Sequence, residues 1–203
     1  MTTEKSKQFK SRMTLILLFV VFLAPGIGAW VLYKFTDLGR DGGSASKGEL
    51  IQPPRTLDNV QLLDPLKPEE QIYLQKRWSL AYLTEENCNK TCVGNIYRMR
   101  QIRLAIGKHY DRVKRILIVK TISDQAQLEV SLKDYHGQLI LESKDVSPEF
   151  INAFKVEGIE DAFTGGRLYI IDPLGNLMMS YSPDQNPSDI IKDLVKIFRV
   201  SQL

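Results

Sequence analysis

Trp78-Ser79-Leu80-Ala81-Tyr82-Leu83 runs on toward Cys88-Asn89-Lys90-Thr91-Cys92, and the reading of this stretch decides the fold. The first part is a short apolar run of strand character. The second part holds the only two cysteines of the 203-residue chain. Cys92, Ile96, Met99, Ile102 and Ile106 then recur at steps of four, three, three and four, which is one face of a helix. Gly107 is the expected stop. A paired thiol is therefore predicted at a strand-to-helix junction. From the residues alone such a pair can bind copper, exchange disulfides or staple a loop.

Downstream, Ile116-Leu117-Ile118-Val119 is wholly apolar, β-branched and bounded by charges, as in a strand buried on both faces. Ser123-Asp124 can cap a helix over about 125–135. Gln138-Leu139-Ile140-Leu141 reads as a further strand. Ser147-Pro148-Glu149 is a helix start with proline at the first helical position. Leu168-Tyr169-Ile170-Ile171 and Leu177-Met178-Met179-Ser180-Tyr181 flank Asp172-Pro173-Leu174-Gly175-Asn176, the turn of a β-hairpin. Asn186-Pro187-Ser188-Asp189 caps a C-terminal helix with an apolar stripe from Ile190 to Phe198. The order is strand, cysteine loop and helix, strand, helix, strand, helix, hairpin, helix. That order predicts an α/β, thioredoxin-like domain with a mixed central sheet and helices on both faces. It puts the cysteine pair at the sheet edge where ligands collect.

Upstream, Met13 to Tyr33 contains no charged residue. A helix needs about 20 apolar residues to cross a bilayer. Trp30 and Tyr33 stand where an interfacial belt would lie, and Pro25-Gly26 is tolerable in a membrane helix. A cleaved signal has a shorter apolar core and a small-residue cleavage site, so the span length favours an uncleaved anchor. Lys5, Lys7, Lys10 and Arg12 precede it, against Glu4 alone. This basic tail predicts a cytoplasmic N-terminus and a single pass. In a bacterial inner membrane the C-terminal domain would be periplasmic, in an oxidising space where two cysteines pair unless something reduces them. The expected organisation is a tail over 1–12, an anchor over 13–33, a flexible linker over 34–56 and the folded domain over 57–203. Asp37 to Gly48 supplies the glycine and serine of the tether. Val60-Gln61-Leu62-Leu63 reads as a short edge strand and Asp64-Pro65 as a turn. The polar stretch from Glu69 to Arg77 decides nothing. With the tail set aside, basic and acidic residues are equal in number, which argues against nucleic acid as a partner. P-loop, Rossmann, serine-triad and zinc spacings are absent from the sequence.

In these motifs the chain resembles the Sco-type proteins of haem–copper oxidase assembly, and within them a divergent membrane-anchored branch. The likeness is carried by the N-terminal anchor, the CxxxC pair Cys88 and Cys92, the run Leu168-Tyr169-Ile170-Ile171-Asp172-Pro173-Leu174-Gly175 and the helical C-terminus. It implies a cytochrome c oxidase assembly factor in the respiratory chain, with Cu(I) as candidate cargo. Its partner would be the copper-binding subunit of the oxidase or another assembly factor. The departures matter. The family follows its second cysteine with proline, here Val93. Its third copper ligand, a histidine, falls at Thr164. Only the two cysteines carry over as metal ligands.

Near a helix N-terminus, and beside Lys90, the thiols of Cys88 and Cys92 are expected to have lowered pKa values. Thiolates select Cu(I) and equally serve disulfide exchange, with Cys88 attacking and Cys92 resolving. The competing reading is a non-catalytic scaffold with a structural disulfide, which gains little stability from so short a loop. His109 and His136 read as solvated cations near helix ends. Gly165-Gly166 reads as loop, and the arginines 98, 100 and 103 as a solvated face.

Overall fold

A computed structural model of the chain describes residues 2–35, 46–57, 62–64 and 66–201. Two units make up the chain, Met1–Ala45 and Ser46–Leu203. Among its described residues the first forms helix α1 (Thr2–Phe35), with Pro25 inside it. Arg12–Leu32 within α1 is long and apolar enough to cross a membrane, and none of it is buried against protein. The Lys34 ammonium lies 5.0 Å from the ring centre of Trp30, a cation–π contact suited to an interfacial aromatic.

The second unit is built on a six-stranded mixed sheet in the order β1-β8-β7-β4-β5-β6. Its strands are β1 (Glu49–Thr56), β4 (Trp78–Thr84), β5 (Val113–Val119), β6 (Gln138–Glu142), β7 (Leu168–Ile171) and β8 (Asn176–Tyr181). β2 (Leu62–Asp64) and β3 (Lys67–Ile72) form a separate ribbon. β4, β5 and β6 are parallel to one another, while β7 is antiparallel to β4 and to β8. The helices are α2 (Lys90–Ala105), α3 (Gln125–Leu132), α4 (Pro148–Asn152) and α5 (Pro187–Val200), with a 3-10 helix at Gly107–Arg112. The thioredoxin-like architecture expected from the sequence is the one observed.

The sheet is buried on both faces, which explains its unbroken apolar strands. One face holds Leu80, Tyr82 and Leu117 against Ile96 and Met99 of α2, Leu128 of α3 and Leu194 of α5. The other holds Ala81, Leu83, Ile116 and Ile118 against Phe150 of α4 and Phe154 beyond it. Burying each large side chain here stabilises by about 1.5–3 kcal/mol. The expected helical stripe is fully inside: Cys92, Ile96, Met99, Ile102 and Ile106 are all buried. The caps at Asp124, Ser147 and Asn186 each accept a backbone N–H of the first helical turn.

Three expectations change. The sequence places residues 49–56 in the linker, but they form β1, an edge strand antiparallel to β8. Pro53 and Pro54 suit an edge, where missing N–H donors cost nothing to a neighbouring strand. Only Ile51 of this strand is buried, so it carries no alternating signal. The glycine–serine tether lies outside the described residues except for Ser46–Gly48. Second, β5 starts at Val113, because it pairs residue for residue with β4 from Trp78 onward. Lys114 and Arg115 thus lie inside the strand instead of bounding it, and Arg115 is buried. Third, the polar stretch after Pro65 supplies β3, which pairs with β2; Val60, Gln61 and Pro65 lie outside the described residues.

Where the chain enters the sheet, Asp193 of α5 accepts the backbone N–H groups of Lys47 (2.7 Å) and Gly48 (2.9 Å) and the Tyr181 hydroxyl (3.1 Å) on one carboxylate oxygen. Burial, then the Asp193 charge, raise the Tyr181 phenol far above its ordinary value. A side chain on Gly48 would run into the Tyr181 ring. Glu49 is held in turn by the guanidinium of Arg167 and, at 3.3 Å, by the Ser180 hydroxyl.

Candidate functional site

β4 delivers the chain to the site. Its pairing with β5 continues past the strand ends, through Lys120 N–H to Thr84 C=O (2.9 Å) and Thr121 N–H to Glu85 C=O (3.1 Å). Asn87 then fastens the loop sideways. Its carbonyl oxygen accepts from the N–H groups of Ser123 and Asp124, both at 3.1 Å, and its amide donates to the Ser123 hydroxyl at 2.7 Å. Asn89 is the N-cap of α2 and accepts from the Cys92 N–H at 3.0 Å. Cys88 therefore sits just before the cap and Cys92 in the first turn, where the helix dipole favours negative charge.

The two sulfurs are joined in a disulfide, with Cα atoms 5.1 Å apart. Both half-cystines are buried, Cys88 to 4% relative exposure and Cys92 to 0%. The cleft beside them has a volume of about 440 Å³. Tyr82, Thr84, Glu85 and Glu86 line it from the β4 side, Asn87, Asn89 and Thr91 from the cysteine loop, and Phe163, Thr164 and Gly166 from the loop before β7. Burial raises the Tyr82 phenol above its ordinary value, against hydrogen bonds with Asn95 and Thr84 that lower it.

Thr164 does face the cysteine loop across this cleft. Its hydroxyl donates to the Asp161 carbonyl at 2.9 Å. The loop is fixed by Lys120, whose ammonium pairs with Asp161 at 2.8 Å and lies 5.5 Å from the Phe163 ring centre. The hydrogen bond from Lys120 holds the Asp161 carboxyl below its usual range. Gly166 has φ +61° and packs on Pro183, and a side chain on Gly165 would press on Ile159. These glycines therefore serve the loop's own packing.

Neither histidine reaches the site. The cysteine loop follows the C-terminal end of β4, whereas His109 and His136 precede the N-terminal ends of β5 and β6, which run parallel to it. His109 rests against Phe198 with ring centres 5.3 Å apart. His136 is exposed and lends its carbonyl to Arg115 at 2.6 Å. Among the described residues, no group of three or more His, Cys, Asp or Glu side chains could hold a metal ion. The donor set at Cys88 and Cys92, once reduced, fits two-coordinate Cu(I) as cargo and lacks a third soft ligand.

The arginine face is corrected in part. Arg98 donates to the carbonyls of Pro183 (2.8 Å) and Gln185, and Arg103 to those of Tyr110 (3.0 Å) and Val113 (2.8 Å). Only Arg100 of the three is plainly exposed. The sequence reading missed Asn87, Asn89 and Tyr82. Asn89 was legible as a cap, being asparagine directly before a helical stripe. Asn87 bonds to the loop after β5, and Tyr82 meets Asn95 of α2 from inside β4; neither left a local signal.

These features define a class: a thioredoxin-like domain with a closed CxxxC pair at the first helix after the first core strand. The family described as "Transmembrane-like, thioredoxin-like, C-terminal domain" matches residues 78–201. The chain belongs to that family. No curated protein sequence matches it. Among solved structures it is similar to BsSco, a member of the Sco family of cytochrome c oxidase assembly proteins. There the TM-score is 0.54 and the identity 18%, over 75% of this chain and all (100%) of that one. Yeast Sco1 with copper bound gives a TM-score of 0.57 at 16% identity, over 73% of this chain and 95% of that one. A putative thioredoxin from Neisseria meningitidis gives 0.52 at 14%, over 73% and 93%. At such identities the likeness carries the fold, and the site must carry the function.

Proposed function

We propose that the protein is a membrane-anchored assembly factor for a haem–copper oxidase, acting through Cys88 and Cys92 by thiol–disulfide exchange or brief Cu(I) transfer. The observation that carries this reading is the placement of the pair. A structural staple could sit anywhere; this one closes at a helix N-terminus beside an open cleft, with its loop clamped by Asn87 and Asn89. The fold shared with BsSco and yeast Sco1 supports the choice of partner, the copper-binding subunit of the oxidase or another assembly factor. The apolar span Arg12–Leu32 supports a single-pass anchor. A bacterial inner membrane, a cytoplasmic tail and a periplasmic domain complete the proposal, as does membership of a divergent anchored branch of the Sco-type proteins.

In the reduced state Cys88, the less buried sulfur, attacks one sulfur of a partner disulfide as thiolate. The partner's other sulfur leaves as thiolate. Cys92 then attacks Cys88 in the mixed disulfide, closing the Cys88–Cys92 bond and releasing the second partner thiol. Two electrons pass to the partner. The helix N-terminus stabilises Cys92 as thiolate before it resolves. With Cu(I) as cargo, the same two thiolates would hold it in two-coordinate geometry. Without the family histidine at Thr164, release to a better-equipped site is favoured over storage.

The scaffold reading rests on the burial of both sulfurs. Titration of the reduced full chain with Cu(I) against a competing chelator separates the two. Stoichiometric binding lost in Cys88→Ser supports copper handling. A reduction potential above about −300 mV supports exchange. No binding, a lower potential and normal oxidase assembly in the Cys88→Ser/Cys92→Ser double mutant would establish the scaffold instead.

A further inference from the structure

The end of the sheet opposite the cysteines gathers cations. Lys76 and Arg77 precede β4, Arg103 ends α2, Lys108 and Arg112 lie in the 3-10 helix before β5, and Arg199 lies in the last turn of α5. α2 carries no acidic residue along its length. The cations are set in place by the fold, Arg103 through the carbonyls of Tyr110 and Val113, and Arg112 through those of Phe198 (3.4 Å) and Ser201 (3.2 Å). Acids here are fewer: Asp134 is exposed before β6, Glu69 and Glu70 lie in β3, and two others are engaged. Asp111 lies 3.8 Å from Arg103, and Asp172 is consumed by its hairpin turn, where it accepts from the N–H groups of Leu174 and Asn176. The cations repel one another: Lys114 is lowered by burial and then by Arg77 and Lys76, and Arg115 is lowered to about 10 by burial and then by Arg103 and Arg100. Among them stand four large apolar or aromatic side chains open to solvent, Tyr73, Leu104, Tyr110 and Val200, the last 80% exposed.

We infer that this basic end rests on an anionic lipid surface, with Tyr73, Leu104, Tyr110 and Val200 entering the headgroup layer. A mixed cationic and amphipathic-aromatic surface is what such a layer binds. The inference rests on α1 as a membrane span and not on the thiol chemistry. Residues 36–45 can extend over at most ~35 Å, while the strands between the two ends span roughly 20–25 Å. Either end can therefore reach a bilayer, and charge makes the choice: the cysteine end presents Glu85, Glu86 and Asp124 beside Lys90, with Asp161 paired to Lys120 and Lys144 to Glu142, so it lacks the excess of cations that draws the other end to an anionic surface. The consequence is a cysteine cleft turned away from the membrane.

The full chain, reconstituted in nanodiscs, tests this. One set is phosphatidylcholine alone; the other includes roughly one third phosphatidylglycerol. Lysines are briefly acetylated and their rates read by peptide mass spectrometry. In the anionic discs Lys76 and Lys108 should react about threefold more slowly than in neutral discs, with Lys90 and Lys144 unchanged. Roughly 0.5 M salt should restore the rates, and Arg77→Gln/Arg199→Gln should lose most of the protection while melting as the parent does. Equal rates in both discs overturn the proposal and leave an acidic protein as the occupant. Protection of Lys90 and Lys144 instead overturns it in favour of the opposite orientation. A chain that stays out of both discs overturns the anchor, and the inference with it.

Discussion

At the cysteine end of the sheet, short polar side chains hold backbone N–H groups, with Lys120 and Arg98 beside them; at the opposite end, apart from the Asp172 turn, long cations hold carbonyls. Asn87, Asn89 and Asp161 each satisfy backbone N–H groups within a few residues or across one strand. Arg103, Arg112 and Arg115 instead reach carbonyls on other elements. Among the described residues, buried polar atoms without a partner occur at both ends: Trp78 Nε1, Ser79 Oγ, Arg115 Nε and Nη1 and Gln138 Oε1 at the starts of β4, β5 and β6, and Arg98 Nε and Arg167 Nε toward the cysteine end. More of them lie at the basic end, so the frame around the cysteines is the better satisfied of the two.

The largest effect should come where the two ends are joined. Ile96 lies fully buried in the middle of α2, and Ile96→Ala should cost about 2–5 kcal/mol in denaturant unfolding. If α2 is one rigid strut, both ends lose hydrogen-exchange protection together. Reducing the disulfide should cost about 2 kcal/mol, the loop-closure value for so short a ring, and should loosen only the cysteine end. Asn89→Ala should cost about 1 kcal/mol as a lost N-cap and, in the reduced protein, should raise the thiol pKa as read by the pH dependence of alkylation. At the other end the sign should reverse. Arg115→Met removes a buried charge without a carboxylate partner and should stabilise by about 1 kcal/mol. A destabilising result there would mean that the bond to His136 outweighs burial. The smallest effect concerns Asp161. Its folded-state pKa is lowered by Lys120, so its contribution is present above the unfolded value of about 3.9 and is lost as pH falls through the folded value. Asp161→Asn should flatten the acid side of the melting-temperature profile slightly, since the pair is largely exposed.

The regular parts of this comparison were legible in the sequence. β4, the α2 stripe, the hairpin turn at Asp172 and the α5 cap are local patterns, and local patterns survive folding. β1 was hidden because an edge strand with one buried residue and two prolines looks like linker. Arg115 was hidden because strand register, set by β4, outranks the charge of a single side chain. At the candidate site the cysteine pair and the loop that carries Thr164 could be read ahead. The Asn87 clamp could not, because Asn87 bonds to residues 36 and 37 positions away. The basic cluster was likewise invisible as a set, since its cations come from four separate segments that only the topology assembles.

The clasp at Asp193 has a mechanical meaning. Any pull on the domain through its N-terminal chain arrives first at Lys47 and Gly48, whose amide groups grip one buried carboxylate. Only behind that grip does the load meet Glu49 and the β1–β8 ladder. The clasp is a strain relief, as on a cable where it enters an instrument. Asp193→Asn would leave the resting fold nearly as it is and lower the force at which β1 is stripped from the sheet.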